Sequence, residues 1–328
     1  MTNPQQRVRF AVVGAGAFGE NHLRVLASLP DAELIGVVDQ DPARATEMVG
    51  KYNCRGFASV EELPGQVDAV VVATPTIAHE AAAAPLLAAG VDVLIEKPIA
   101  PDLEAAQRLC DLASKHGRIL QVGHLERFNP AIRALEKLVT VPLFFEIHRM
   151  SLFSPRSLDV DVVLDLMIHD IEIILALTGQ QPDEIRAAGI SVMSENSDIA
   201  NVRLQFPSGC VANLTASRVS TEKVRKLRLF QPNQYVSIDY TKQEIIAIGV
   251  TADKQIRFHP APVTKGEPLQ NELQHFIDCI RTRQQPLVNG EQATAALRVA
   301  VGILEKIEEH QGTVRETLSN VSAALSVQ

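Results

Sequence analysis

Short apolar runs alternate with amphipathic segments over the first 123 residues of the chain. The runs carry few polar positions, which is typical of parallel strands covered on both faces. Between them, capping and turn residues such as Asp41-Pro42, Gly90 and Gly117 mark where helices begin or end. We predict strands over residues 8–13, 34–38, 69–73, 91–95 and 119–122, and helices over residues 17–28, 42–51, 79–89 and 103–116.

This repeated strand–helix order predicts a right-handed, doubly wound parallel sheet of the α/β class. The pattern changes after about residue 130, where polar and apolar positions are mixed or alternate. Turn residues such as Pro207-Ser208-Gly209 separate the later runs, which favours an antiparallel meander. We predict strands over residues 143–151, 184–193, 200–206, 211–218, 226–230, 235–240 and 244–248, and helices over residues 163–177, 269–282 and 291–309.

The second part of the chain is therefore expected to be an α+β domain on a mostly antiparallel, open-faced sheet. It has too few helices to cover both faces of that sheet, and an apolar open face usually meets a second copy across a two-fold axis. We expect a homodimer or a homotetramer. The predicted domains are residues 1–123 and residues 124–328.

Composition restricts the possible partners. The 328 residues are 46% hydrophobic and 21% charged, as in an ordinary globular protein of about two domains. Lysine and arginine number 31 against 39 acidic residues, and this net charge of −8 argues against nucleic acid or an anionic membrane as a partner. The polar N-terminal residues lead straight into the first strand, so we expect no signal sequence. The sequence shows no uninterrupted apolar span of about 20 residues and no CxxC pair among its four cysteines. We expect a cytoplasmic protein with free thiols.

A glycine-rich loop between the first strand and the first helix is the strongest indication of a ligand. Gly14, Gly16 and Gly19 form a GxGxxG pattern, which allows a tight turn, close approach to a pyrophosphate and close helix packing. Unpaired N–H groups at the helix start, including those of Ala17 and Phe18, would face the phosphates. Asp39 ends the second strand 20 residues after Gly19, where a carboxylate can accept both ribose hydroxyls and repel a 2′-phosphate. The pattern predicts a dinucleotide-binding domain that prefers NAD. The alternative is a purely structural turn with an incidental aspartate.

Thr74-Pro75-Thr76 follows the predicted strand over residues 69–73 and precedes a helix near His79. Residues at the carboxyl ends of parallel strands face the ligand crevice, so this segment is expected beside the cofactor. Thr76 could instead cap the helix, and that role would not prevent contact with the cofactor.

Lys97 follows the strand over residues 91–95 in the segment Glu96-Lys97-Pro98. Its position at the carboxyl end of the strand places it where nicotinamide would lie. Oxidation of an alcohol needs a group that accepts the hydroxyl proton or stabilises the alkoxide, and a lysine can do either. The alternative is an ordinary surface lysine in a loop.

Asp165 and His169 are four residues apart in an apolar helical segment, so they share one helix face. A histidine near its ordinary pKa of about 6.5 is suited to proton transfer at neutral pH, and the aspartate could orient it or bind a substrate hydroxyl. A core histidine with a local aspartate is the alternative. No second histidine stands at ligand spacing, so we expect no metal site.

Taken together and in this order, these motifs resemble the Gfo/Idh/MocA family of oxidoreductases over nearly the whole chain. The resemblance implies that His79, Glu96 and Lys97 join the cofactor site and that Pro98 is in the cis form. It also implies that Lys97 and His169 are catalytic, with Asp165 assisting them and binding substrate.

Residues 121–131 (QVGHLERFNPA) and 164–170 (LDLMIHD) are similar to the subgroup of UDP-N-acetylglucosamine 3-dehydrogenases. That resemblance implies oxidation of a sugar C3 hydroxyl to a 3-keto sugar, in a pathway toward diamino sugars of the lipid A type. The ketone would then go to a partner aminotransferase that uses pyridoxal phosphate.

In this reaction either His169 or Lys97 would take the hydroxyl proton, and the sequence leaves the choice open. A nucleotide-sugar diphosphate also needs cationic partners, for which Arg127, Arg149 and Arg156 are candidates because they flank the expected crevice. Each could equally be a solvated surface arginine. A cyclitol or free-sugar dehydrogenase is the alternative enzyme, and a non-catalytic dinucleotide-binding regulator is the alternative from another class.

Overall fold

The computed structural model describes residues 6–153 and 160–325, with the side chains of the last helix described as far as residue 316. The chain forms two compact units. The first unit combines Met1–Asn129 with Gly266–Thr294, and the second unit combines Pro130–Lys265 with Ala295–Gln328.

A six-stranded parallel sheet forms the centre of the first unit. Its order is β3-β2-β1-β4-β5-β6, which is the doubly wound arrangement that the sequence predicts. The edge strand β3 was not predicted, because two of its three residues are exposed and give it no apolar run. The strands are β1 (Val8–Val13), β2 (Ala32–Val38), β3 (Arg55–Phe57), β4 (Ala69–Val72), β5 (Asp92–Glu96) and β6 (Leu120–Gly123).

The helices begin where the capping residues indicate. The carboxylate of Asp41 accepts hydrogen bonds from the N–H groups of Ala43 and Arg44, and the carboxylate of Asp102 accepts one from that of Ala105. The α-helices described are α1 (Ala17–Ser28), α2 (Pro42–Tyr52), α3 (His79–Ala88), α4 (Leu103–Lys115), α5 (Pro130–Glu136), α6 (Ile168–Thr178), α7 (Pro268–Thr282) and α8 (Gly290–Leu325).

Helix α7 belongs to the first unit although it lies far along the chain. Its apolar stripe enters the core beneath the parallel sheet, where the ring of Phe276 lies 6.0 Å from that of Phe10. Just after the helix, Arg283 donates two hydrogen bonds to the carboxylate of Asp92, at 2.6 and 3.1 Å. The compact units therefore differ from the predicted domains, which placed this segment in the second.

The strand register brings the candidate cofactor residues to one edge of the sheet. Val13 is paired with both Val38 and Val72, and Val72 with Ile95. The residues that follow these strands, from Gly14 to Lys97, therefore emerge at the same carboxyl edge.

An eight-stranded, mostly antiparallel sheet forms the second unit, in agreement with the predicted fold class. Its order is β14-β13-β12-β11-β7-β10-β9-β8, and β7 with β10 is its parallel pair. The edge strand β14 was not predicted, because all four of its residues are exposed. The strands are β7 (Phe144–Leu152), β8 (Glu184–Ile190), β9 (Ile199–Gln205), β10 (Val211–Ser220), β11 (Val224–Gln231), β12 (Gln234–Asp239), β13 (Glu244–Val250) and β14 (Ile256–His259).

The core of the second unit lies between one face of this sheet and helices α5, α6 and α8. The predicted helix over residues 163–177 is a π-helical turn, Val163–Met167, followed by α6. Helix α8 extends well beyond the predicted end at residue 309. None of the described helices is long and apolar enough to span a bilayer.

Candidate functional site

The glycine loop passes close to two other parts of the backbone. Gly14 has a φ of +93°, and a Cβ atom there would lie 2.6 Å from the carbonyl oxygen of Ala73. A Cβ atom on Gly19 would lie 1.8 Å from the carbonyl oxygen of Gly14. Any larger residue at position 19 would therefore prevent α1 from packing this closely against the loop. At Gly16 a Cβ atom would meet no described atom within 4 Å, which leaves this side accessible to a ligand.

The N-terminus of α1 faces the same side. Gly16 precedes the helix, and its carbonyl oxygen accepts the first helical hydrogen bond from the N–H group of Glu20, at 2.8 Å. The N–H groups of Ala17 and Phe18 precede that bond and have no acceptor within the helix. Together with the helix dipole, these donors favour an anion such as a pyrophosphate.

Asp39 ties the glycine loop to the end of β2. Its two carboxylate oxygens accept hydrogen bonds from the N–H groups of Ala15, at 2.6 Å, and Asp41, at 2.8 Å. The guanidinium of Arg44 lies 3.7 Å away. Each carboxylate oxygen keeps a second lone pair, so the geometry leaves acceptors for ribose hydroxyls.

These residues line a cavity of about 1050 Å³ in the first unit. The Thr74 hydroxyl at its wall is buried and has no hydrogen-bond partner among the described residues, as expected of a group that meets a ligand. Of the predicted cofactor residues, the lining includes Gly14, Gly16, Ala17, Phe18, Asp39, Thr74 and Pro75.

Thr76 and His79 are not among the residues that line this cavity. Thr76 begins a 3-10 turn without a capping hydrogen bond, so the alternative that its side chain caps the helix is wrong. The His79 ring is 1% exposed, and its nitrogens lie 3.0 Å from the carbonyl oxygens of Thr74 and Pro98. Burial lowers the pKa of His79 despite these carbonyls. The ring therefore connects the Thr74 and Pro98 loops from the interior.

Glu96 and Lys97 stand at the end of β5, and the Lys97–Pro98 peptide bond is cis. The Glu96 carboxylate lies 2.7 Å from His22 Nε2 and accepts a 3.3 Å hydrogen bond from the N–H group of Lys97. Burial raises the pKa of Glu96, but the contact with His22 and the positive charge of Lys97 outweigh it, and the pKa is lowered. Glu96 thus remains an anion beneath the loop that carries Lys97.

Two further buried titratable groups, His124 and Glu272, feel the charges of Lys97 and Glu96. Burial, reinforced by the charges of Lys97 and Arg127, lowers the pKa of His124 to about 3, so its ring is neutral. Burial and the charge of Glu96 raise the pKa of Glu272 well above its usual value, which favours the protonated carboxyl group. Such shifts concentrate at functional sites.

In the second unit, Asp165 lies on the π-helical turn and His169 follows on α6. Both side chains are half-buried. Asp161 fixes the turn, because its carboxylate accepts hydrogen bonds from the N–H groups of Val163, at 2.9 Å, and Ser197, at 3.1 Å. Single π-helical turns occur frequently at functional sites.

Arg149 does not fit the predicted contact with a substrate diphosphate. Its guanidinium is buried and donates two 2.7 Å hydrogen bonds to the carboxylate of Asp170. The Tyr240 ring lies 5.0 Å from the guanidinium. Arg149 therefore stabilises the interior of the second unit, and its guanidinium is not available to bind a substrate diphosphate. Arg156 lies outside the described residues.

Comparison with known proteins identifies the family. Residues 8–124 match the oxidoreductase family with an NAD-binding Rossmann fold, Gfo/Idh/MocA, and residues 147–241 match the C-terminal domain of the same family. The chain belongs to the Gfo/Idh/MocA family.

Two relatives within this family cover almost the whole chain. The UDP-N-acetylglucosamine 3-dehydrogenase of Acidithiobacillus ferrooxidans is 34% identical over 92% of this chain and 97% of its own length. A solved structure of that enzyme covers 93% of this chain and 99% of its own, with a TM-score of 0.87. The inositol 2-dehydrogenase of Rhizobium meliloti is 28% identical over 92% of this chain and 97% of its own length.

Membership of the Gfo/Idh/MocA family confirms that the protein is an NAD-dependent dehydrogenase acting on CH–OH groups. The first unit fits this cofactor. Its glycine loop leaves room for a pyrophosphate, the α1 N-terminus provides N–H donors, and Asp39 provides acceptors for ribose hydroxyls.

Sequence reasoning missed the residues that support this site from within. Glu272 interrupts the apolar stripe of α7 between Leu269 and Leu273, and His22 stands on the buried face of α1 beside Leu23. A titratable residue on the apolar face of a helix was the available signal.

Proposed function

We propose that the protein is a UDP-N-acetylglucosamine 3-dehydrogenase, which oxidises the C3 hydroxyl of the sugar to a ketone. The observation that carries this proposal is the 34% identity to the enzyme of that name, over 92% of this chain and 97% of the relative. The match to the inositol 2-dehydrogenase extends equally far at 28% identity.

The catalytic residues we propose are Lys97 and His169, with Asp165 assisting. When bound, NAD supplies the hydride acceptor, and the chain's own task is to remove the hydroxyl proton. If His169 accepts that proton, Lys97 as an ammonium stabilises the developing alkoxide; if Lys97 accepts it, His169 orients the hydroxyl. Asp165 would orient His169 or bind a sugar hydroxyl.

Substrate binding is proposed for Lys97, Asp165 and His169, together with Arg127 and Arg156 for the diphosphate. Arg127 is largely buried and its charge acts on His124, so it is the weaker of the two arginine candidates. In the cofactor site we keep His79 and Thr76 as residues that shape the wall and Glu96 as the support of Lys97.

The further partners we propose are a second copy of the chain, as a homodimer or homotetramer, and an aminotransferase that consumes the ketone in a pathway toward diamino sugars. Exposed apolar side chains on β13 and on the edge strand β14 of the second unit, such as Ile246, Ile256 and Phe258, support association between copies. Free thiols at all four cysteines support the reducing cytoplasm as the compartment.

A cyclitol dehydrogenase is the second candidate function, because the inositol 2-dehydrogenase matches over the same share of the chain. Such an enzyme would not need a diphosphate site. Dependence of activity on the UDP group therefore separates the two candidates.

The deciding experiment measures NADH formation with UDP-N-acetylglucosamine, and in parallel with UDP-glucose and myo-inositol. A 3-keto-sugar aminotransferase with glutamate is added, because oxidation of an alcohol by NAD is unfavourable and needs removal of the product. We expect turnover with UDP-N-acetylglucosamine alone.

Lys97→Ala tests the proposed site in the same assay. Loss of a general base or of an alkoxide-stabilising charge is expected to lower kcat by a factor of about 10² to 10⁴. Lys115→Ala removes an exposed lysine of α4 and is the matched control. Turnover of myo-inositol but not of the UDP-sugar would contradict the proposed substrate, and an unchanged kcat in Lys97→Ala would contradict the proposed site.

A further inference from the structure

The turn that carries Lys97 begins where the pairing of the parallel sheet ends. Strand β5 ends at Glu96, which is paired with Gly123 of β6, so Lys97 is the first residue after the strand. The N–H group of Lys97 donates a 3.3 Å hydrogen bond to the side-chain carboxylate of Glu96. The backbone at Lys97 is therefore held by a side chain where its strand pairing has ended.

A histidine of helix α1 holds that carboxylate from the interior. His22 Nε2 lies 2.7 Å from one carboxylate oxygen of Glu96, and the other oxygen accepts the hydrogen bond from Lys97. A carboxylate only accepts hydrogen bonds, so Nε2 carries the hydrogen. A Cβ atom on Gly123 would lie 3.1 Å from the second oxygen, so β6 leaves it little room to move. Both carboxylate oxygens are thus fixed.

His22 is an unusual residue for its place in the fold. It is 1% exposed and lies on the buried face of α1 together with Leu23, Val25 and Leu26. Its second ring nitrogen, Nδ1, is buried and has no hydrogen-bond partner among the described residues. A polar ring in such surroundings is unfavourable compared with a leucine. Within the described part of the chain, the contact with Glu96 is the one hydrogen bond that the ring gains in return.

Helix α1 also provides the N–H donors for the pyrophosphate. Those of Ala17 and Phe18 open the helix, and His22 follows five positions after Ala17 (22 − 17). This spacing corresponds to about 7.5 Å along the helix axis. Because the hydrogen-bonded backbone of a helix is stiff, the cofactor donors and His22 form one rigid unit. Helix α1 therefore links the phosphate site to the turn that carries Lys97.

A second histidine holds the other end of this turn. His79 Nδ1 lies 3.0 Å from the carbonyl oxygen of Pro98, and its Nε2 lies 3.0 Å from the carbonyl oxygen of Thr74. His22 thus acts on the residue before Lys97, and His79 on the residue after it. Loss of one histidine would free one end of the turn and leave the other end attached.

We propose that His22 is a positioning residue, which holds Lys97 in its catalytic place through the carboxylate of Glu96. This inference rests on the proposed function, in which Lys97 handles the substrate hydroxyl. His22 is not among the residues that line the cofactor cavity, so it acts through Glu96 alone. When NAD is bound at the N-terminus of α1, the same helix positions both the cofactor and Lys97.

Two substitutions of His22 separate its hydrogen bond from its packing. His22→Gln keeps an N–H donor at about the reach of Nε2, whereas His22→Leu fills the space without a donor. His116→Leu is the matched control, since His116 is a half-buried histidine that follows α4 in the same unit. We would measure kcat, KM for NAD and KM for the alcohol, with whichever of UDP-N-acetylglucosamine, UDP-glucose and myo-inositol the enzyme turns over.

We expect His22→Leu to lower kcat about tenfold, the effect of one lost hydrogen bond to a charged group, with less than about a twofold change in KM for NAD. His22→Gln should recover most of the loss. In a Lys97→Ala background, His22→Leu should cause no further loss, because two residues that act through each other are not additive. Equal kcat in the leucine and glutamine variants would overturn the proposal, and so would a full tenfold loss added to that of Lys97→Ala.

Amide hydrogen exchange tests the contact without substrate or cofactor. In His22→Leu the Lys97 N–H group should exchange about tenfold faster than in the wild type, and in His22→Gln at nearly the wild-type rate. The N–H group of Val71 in β4 reports global unfolding and serves as the internal reference. An unchanged Lys97 rate relative to Val71 would overturn the proposal even if kcat falls.

The same experiments keep this inference apart from the proposed function. An unchanged kcat in Lys97→Ala would contradict the proposed catalytic residue. The exchange rates would still show whether His22 holds the backbone at Lys97, because they are measured on the protein without NAD.

Discussion

Buried charges are arranged differently in the two units. In the second unit, Arg149 donates two 2.7 Å hydrogen bonds to Asp170, and the hydroxyl group of Tyr240 donates a third at 3.2 Å. In the first unit, Glu272 is equally buried, but the charge that acts on it is that of another acid, Glu96.

The difference separates a structural role from a functional one. A buried ion pair with satisfied hydrogen bonds holds two elements together, here β7 and α6. A buried acid next to a second acid must stay protonated, and it costs stability at every pH above its unfolded pKa. Residues that cost stability in this way are concentrated at active sites.

The largest effect is expected from breaking the ion pair of the second unit. Asp170→Ala leaves the Arg149 guanidinium buried without its carboxylate, which costs about 3–5 kcal/mol of unfolding free energy. Chemical denaturation followed by circular dichroism measures this loss. Asp183→Ala removes an exposed aspartate of the same unit and is expected to change the stability little.

A double variant sharpens this first prediction. Arg149→Met with Asp170→Leu removes both charges and fills their space with apolar side chains, so it should recover most of the lost stability. If the double variant is as unstable as Asp170→Ala, the loss arises from packing around α6 rather than from an unpaired charge.

In the first unit, Glu272→Gln should stabilise the protein. The pKa of Glu272 is raised on folding, so its contribution to stability is complete below its unfolded pKa of about 4.3 and is lost as pH rises toward the folded value. Glu272→Gln removes this loss. As pH rises, the unfolding free energy of the variant should exceed that of the wild type by up to about 1.4 kcal/mol more for each pH unit, or about 3 kcal/mol over two units.

Denaturation at a series of pH values from about 5 to 8 measures this slope, with Glu47→Gln as the exposed control. A difference that stays constant with pH would mean that Glu272 titrates normally, and the contrast between the two units would then disappear.

The cofactor loop could be predicted from sequence because its signals are local. The turn, the helix start at Ala17 and the capping residue Asp41 each depend on residues only a few positions apart, and α1 has the predicted bounds. The two sheets were predicted for the same reason, since apolar runs and alternation are properties of single segments.

The interior could not be predicted, because its partners are far apart in the chain. The charge of Glu96 acts on Glu272 across 176 positions (272 − 96), and no pattern within α7 indicates that second acid. Arg149 has the residue type of a phosphate ligand, and only the fold shows that Asp170 already holds it. The edge strands β3 and β14 carry too few buried residues to give a periodic signal.

The smallest effect is expected at Asp198, which gives the second unit a pH dependence opposite to that of Glu272. Its carboxylate accepts hydrogen bonds from the N–H groups of Val192 and Ser194, at 2.7 and 3.0 Å, and from the guanidinium of Arg218, at 3.0 Å. Burial would raise the pKa of Asp198, but hydrogen bonds from the N–H group of Met193 and from Ser194 and Val192 outweigh it and the pKa is lowered. Its contribution is therefore present above the unfolded pKa of about 3.9 and is lost as pH falls toward the folded value.

Asp198→Asn is expected to cost about 1.5–2 kcal/mol at pH 7, the value of a charge-assisted hydrogen bond, and the cost should shrink below about pH 4. Its penalty thus fades in acid, whereas the benefit of Glu272→Gln grows toward alkaline pH. Denaturation of both variants over one pH series tests the contrast directly, because a carboxylate held by donors and an acid held beside another acid must give slopes of opposite sign. If the two stability slopes have the same sign, then either Asp198 or Glu272 does not have the charge state expected from its surroundings.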